Sequence, residues 1–332
     1  MFGKFMNNYY YGKSGKGDYT KDDLPTTRWQ LFWEMLRVRL SAIVRLNLMY
    51  MLSWLPAMIV IVIGVMSLLT GVAGTEEAAV MDAANIQGVF LMTCLLLIPC
   101  IFITGPFTSG VSYVTRNWAR DEHSFIWSDF KDAVKENWKQ SLVISGITSV
   151  IPVMMYICWT FYGQMAATQP LMTIPQVLTI IVGFVWSLAV TYMYPMIVSY
   201  RMRLRDIIRN GLLLAIARLP MSVGIRLLHC VPFAIAFVVA MYLNTLWAIL
   251  GLLAYYLVIG FGLSRFITAS YTTGVFDKYI NSRIEGAVVN RGLNPDPDVD
   301  DDDEDETPDY TEMTDIRDIV EARRRAENQN KE

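Results

Sequence analysis

Lysine and arginine are missing from three long stretches of this sequence, residues 46–115, 140–200 and 227–264. Aspartate and glutamate are missing there too, except for Glu76, Glu77 and Asp82. One arginine at a helix centre costs about 2.5–3.5 kcal/mol on insertion scales, so stretches this long without cations are what hydrocarbon demands. Histidine occurs twice and cysteine four times. Cys94, Cys100, Cys158 and Cys230 all fall in apolar runs with no CxxC pair, which reads as buried thiols rather than metal or redox chemistry. HExxH, GxSxG and paired intramembrane carboxylates are lacking. No catalytic residue, cofactor site or metal site is therefore expected, and an enzyme or an ion-coupled transporter is disfavoured. The polar start is read as carrying no cleavable signal peptide.

What is present is apolar. Hydrophobic residues make up 54% of the 332 residues, gathered in runs of about 20, the length that crosses a bilayer. Six spans are expected, near 47–72, 87–106, 141–163, 175–199, 223–242 and 246–264. The fold class is all-α, a polytopic membrane helix bundle. Basic residues occupy the N-terminal arm and alternate loops (116–139, 201–226 and beyond 264), which places both termini on the cytoplasmic side of the cell membrane. The spans read as three hairpins, each opened by a proline about ten residues into its first helix: Pro56, Pro152 and Pro232. Pro106 and Pro195 close the second and fourth spans. Such prolines kink a membrane helix and free a carbonyl, as packing joints or as hinges.

Three amphipathic helices are expected on the cytoplasmic side. Residues 28–45 carry Trp29, Phe32, Trp33, Leu36, Leu40 and Ile43 on one face, with Thr26 or Thr27 as N-cap. Residues 127–139 place Trp127, Phe130, Val134 and Trp138 at helical spacing among charged residues. This helix is expected in the membrane interface or beneath the bundle. Residues 204–216 carry a stripe of Leu204, Ile207, Ile208, Leu212 and Ala215 flanked by arginines. Trp127, Phe130, Val134, Trp138, Arg116, Arg120, Ile207 and Ile208 form a candidate surface for docking a partner. Membrane lipids are the other expected partner, and no nucleic acid is expected.

The chain divides into a flexible basic arm (1–27), a membrane domain (28–285) and an acidic tail (286–332) expected to be disordered, with a short terminal helix. The last 37 residues, 296–332, hold 16 of the 31 acids and 5 of the 28 Lys and Arg. The YGKSGKG cluster lacks P-loop spacing. Asp296, Asp298 and Asp300 start like a calcium loop, but Asp301 and Thr307 stand where Gly and Glu are needed. Within the spans, Arg226 is expected to snorkel outward. His229 is a weak intramembrane candidate, against the plainer reading of a packed histidine. Thr93, Thr104, Thr108, Ser145, Thr148, Ser187, Thr191 and Tyr192 could line a path for a neutral solute, or bond between helices.

The run GPFTSGVSYVTRNWARDEHSFIWSDFKDAVKENWKQ, Gly105–Gln140, resembles the signature of the YesL-like family of bacterial multipass membrane proteins, a family of undefined function. The matching residues are Gly105–Pro106, Thr108, Tyr113–Val114, Arg116, Arg120–Asp121–Glu122, Phe125, Phe130 and Lys135–Gln140, and Leu46–Pro56 fits the family's first span. The resemblance implies an accessory role in carbohydrate uptake or utilisation, beside a sugar-transport permease, and no catalytic residues. A facilitator for a neutral solute is the alternative.

Overall fold

A computed structural model describes residues 25–73, 83–284 and 286–293. The expectations for the arm up to residue 24, for the Glu76–Asp82 loop and for the tail beyond Leu293 lie outside these residues. The described residues form helices joined by short turns and loops, with no strand among them. The helices are α1 (Arg28–Ala73), α2 (Ala83–Ala119), α3 (Ile126–Ala166), α4 (Thr173–Ser199), α5 (Leu204–Ala217), α6 (Leu219–Tyr242), α7 (Thr245–Tyr255) and α8 (Phe261–Tyr279). A π-turn, Tyr256–Gly260, joins α7 to α8 without a break. Six of these continuous helical stretches are long and apolar enough to cross a membrane.

Two of the expected amphipathic helices are not separate elements. Residues 28–45 are the first turns of α1, and residues 127–139 the first turns of α3. Nothing interrupts either one: no glycine or proline separates amphipathic segment from span, so helix propagation simply continues. Only 204–216 stands alone, as α5. The start of α1 is fixed by a capping box. Thr27 Oγ1 accepts from the Gln30 N–H at 3.3 Å, and Gln30 Oε1 accepts from the N–H groups of Thr27 and Thr26 at 3.2 and 3.0 Å.

The core lies at one end. Every Lys and Arg of the described loops belongs to that end, which we call the basic end. Leu31, Met35, Ile43, Val111, Val114, Trp118, Phe130 and Phe266 form one buried cluster, and Leu188–Val198, Ile207, Ala215, Val275 and Phe276 supply a second. Towards the opposite end the helices bury little against one another. Along the most apolar stretches of α2 and α6 the chain buries next to nothing, Cys94 excepted.

The packing does not confirm the grouping into three hairpins. Consecutive helices do touch, but the most extensive contact is α2 with α3, which the hairpin reading assigns to different pairs. Residues Gly105 and Gly110 explain it. A Cβ on Gly105 would collide with Ser145 Oγ and with the backbone carbonyl of Ser141. One on Gly110 would lie 2.7 Å from both Phe130 and Val134. Small residues let two backbones approach where side chains would hold them apart. Pro106 adds a specific joint: it removes the bond to the carbonyl of Phe102, and Ser145 Oγ of α3 donates to that freed oxygen at 2.7 Å.

Candidate docking surface and the polar knot beneath it

The signature residues sit on the last turns of α2, the turn after it and the first half of α3. Helix α2 ends in a Schellman arrangement: the Glu122 N–H bonds to the Asn117 carbonyl and the Asp121 N–H to that of Trp118. Asp121 takes the left-handed conformation this requires, at φ 58°. Helix α3 then opens with Asp129 reaching back to accept from Ser124 Oγ and the Phe125 N–H, at 2.6 and 2.9 Å.

Arg116 and Arg120 are buried, so they are core residues and not part of a free surface. Arg116 lies over the Tyr113 ring at 4.6 Å and donates to the Val198 carbonyl at 2.5 Å. That carbonyl belongs to the last turn of α4, where the helix dipole favours a cation. Burial, and the neighbouring Arg116 charge after it, push the Arg120 guanidinium down to about 10, against the pull of Glu122. Glu122 itself is paired with Arg291 at 2.8 Å.

The segment after α8 returns to this same place. Arg28 pairs with Asp277 and donates to the Arg291 carbonyl. Burial lowers the Arg28 guanidinium, and Asp277 opposes the shift. Asp277 also accepts from Asn281 at 2.6 Å and from the Asn290 N–H, and the Tyr200 hydroxyl donates to Asn281 Oδ1 at 2.6 Å. Gly292, at φ 78°, passes so close to the Arg120 carbonyl that a Cβ would lie 2.7 Å away. Leu293 packs on the α1–α2 cluster. Residues 286–293 therefore pack against the helical body.

Of the remaining docking candidates, Phe130 and Ile207 are buried, and Val134 and Ile208 are half-buried. Trp127 and Trp138 are exposed. The inward face of α3 is instead Phe130, Ala133, Asn137, Ser141 and Ser145. The seam across Gly105 and Gly110 is too close for indoles, so the tryptophans flank it. Helix α1 shows the same displacement: Leu31, Met35 and Ile43 face inward, while Trp29 and Trp33 point out. The exposed aromatics at the basic end are thus Trp29 (67% exposed), Trp33 (49%), Phe125 (69%) and Trp127 (66%). Phe125, and the outward aim of Trp29 and Trp33, are absent from the face assigned by helical spacing. The signal available in the sequence was the run of small residues on the partner helix.

His229 donates from Nε2 to the Ser264 carbonyl at 3.1 Å, and it neighbours Thr268. Arg226 does not snorkel outward. It turns into the bundle and bonds to the Ser187 carbonyl and to Thr191 on α4. The hydroxyls considered for a solute path bond mostly to their own helices: Thr93 to Val89, Thr104 to Ile101, Thr108 to Thr104, Thr148 to Ile144 and Ser187 to Phe184. Among the described residues no cluster of His, Cys, Asp and Glu has the make-up of a metal site.

The family model described as "Protein of unknown function, DUF624" matches residues 83–159, which are α2, its turn and most of α3. The chain is also 28% identical over 160 residues to "Uncharacterized protein YesV" of Bacillus subtilis (strain 168), covering 48% of this chain and 74% of that protein. No solved structure matches the chain. The family model falls on the signature that carried the YesL-like resemblance, and in structural terms that signature is the closely packed α2–α3 pair.

Proposed function

We propose, for a chain whose α2–α3 pair carries the match to a family of unknown function, that it is a non-enzymatic accessory component of a membrane assembly in the cell membrane. The basic end faces the cytoplasm and docks a partner through Trp29, Trp33, Phe125 and Trp127. The resemblance to YesL-like proteins supports a partner in carbohydrate uptake, a sugar-transport permease.

The observation that carries this reading is the length of helix between those aromatics and the uncharged spans. Trp127 lies 13 residues before Gln140, about 20 Å along a helix. Trp33 and Trp29 lie 12 and 16 residues before Arg45, about 18 and 24 Å. Trp138 sits at the membrane edge, where an indole is ordinary. The other four are held on helices packed into the body, beyond the reach of headgroups. Exposed aromatics clustered at one end of a molecule are the residue types that anchor protein interfaces.

The test is co-purification from native membranes. The protein with Trp29, Trp33 and Trp127 replaced by alanine should keep its thermal stability and lose a permease subunit that the parent retains. A variant that keeps the same partners, or a parent that purifies alone, ends the proposal.

A further inference from the structure

Arg226 and Arg265 stand where α4, α6 and α8 meet, away from the docking surface. The Arg226 guanidinium spends Nη2 on the Ser187 carbonyl and on Thr191 Oγ1 at 3.0 Å, while its Nε is buried without a partner. Arg265 is half-buried between two tyrosine rings, 5.9 Å from the centroid of Tyr50 and 5.7 Å from that of Tyr194. Among the described residues it donates no hydrogen bond.

Among the described residues these cations have no counter-ion. Arg226 and Arg265 are close enough to repel each other, and His229 feels both; among the described residues no carboxylate acts on Arg226 or His229. Two guanidiniums in a low dielectric with no acid are unfavourable unless an anion joins them. The depth says which anion is at hand. The uncharged stretch 227–242 that follows Arg226 is about 24 Å long as helix, and the stretch 246–264 that precedes Arg265 about 28 Å. Both approach the ~30 Å of hydrocarbon. The guanidiniums are therefore at its edge, the depth of lipid phosphates. Helix α6 is thinly covered, with Ser222 its one buried residue among those described, so lipid reaches its flanks.

We propose that Arg226 and Arg265 bind one phosphate group, that of an anionic phospholipid in the leaflet on the basic side. Planar guanidinium forks suit phosphate oxygens bidentately, and the tyrosine rings fix Arg265 in place. The site is independent of any protein partner.

The full-length protein is incorporated into vesicles of phosphatidylcholine with a minor share of phosphatidylglycerol. It is then repurified, and the lipids it retains are measured by native mass spectrometry. The parent is expected to enrich phosphatidylglycerol. Arg226→Gln and Arg265→Gln should each cut that enrichment about tenfold, and Arg265→Lys should retain part of it. Lys131→Gln, exposed on α3, should retain all of it. A second measurement needs no variant: phosphatidylglycerol added to the delipidated parent should raise its thermal midpoint. If inorganic phosphate raises it and phosphatidylglycerol does not, the phosphate site stands and its ligand is soluble, which overturns the lipid assignment. Glutamine variants that enrich phosphatidylglycerol like the parent, or a parent that responds to neither probe, overturn the site.

Discussion

Asn47 is the residue most completely used by this fold. The π-turn at Tyr256–Gly260 strands backbone groups, and Asn47 satisfies them: its Nδ2 donates to the carbonyls of Tyr256 and Leu257 at 3.1 and 2.8 Å, and its Oδ1 accepts from the Gly262 N–H at 2.8 Å. Asn47→Leu leaves these groups unpaired and should destabilise by about 2 kcal/mol, read as a lowered unfolding midpoint in detergent. Gly105 and Gly110 make a sharper comparison. Alanine at 105 meets a backbone carbonyl that cannot move aside, and should cost about 1–3 kcal/mol. Alanine at 110 meets the ring of Phe130 and a methyl of Val134, which can shift, so its cost should be smaller. Arg120 gives a prediction in pH. Its folded pKa of about 10 is below that of a free guanidinium, so the unfolded chain binds more protons from about pH 10 upwards and stability rises with pH there. Below about 10 the burial cost is fully present. Arg120→Met should therefore be at least as stable as the parent at pH 7, with the difference shrinking as pH rises past about 10. A clear loss of stability at pH 7 would show that the contacts of Arg120, the attraction of Glu122 among them, outweigh its burial cost.

At the scale of elements, apolar length and the confinement of cations to alternate loops were legible, and they place six helices whose ends away from the basic side agree with the structure to within a few residues, while four of the helices run well beyond the expected span at the basic end. Less was legible about faces. Helical spacing grouped Trp127 with Phe130 and Trp29 with Ile43 because all are large and apolar. The structure separates them, since the α2–α3 seam selects Ala133, Asn137 and Ser141 by size. The knot around Asp277 was not legible at all: Arg28 and Asp277 are 249 residues apart, and only the fold brings them together. The continuity of α1 and α3 yields its own test. Brominated lipids should quench a single tryptophan kept at 138 and leave one kept at 127 bright. Equal quenching would mean that the start of α3 lies in the interface after all.

The whole molecule has two thicknesses. Its basic end is a packed helical body with two buried clusters and a knot of ion pairs, and its opposite end is a set of helices that bury little of each other. Stability should follow that division. Truncating a basic-end side chain such as Trp118, fully buried, should cost about 3–5 kcal/mol. Removing an outward one such as Phe237 should cost little in detergent. The accessory reading rests on what this body presents at its basic end, and a photo-crosslinking amino acid at position 127 in native membranes tests it most directly. The account predicts one discrete protein adduct, identified as a permease subunit and also obtained from position 33, while the same probe at Trp159 in the span gives lipid. Adducts with lipid alone at position 127 would contradict it.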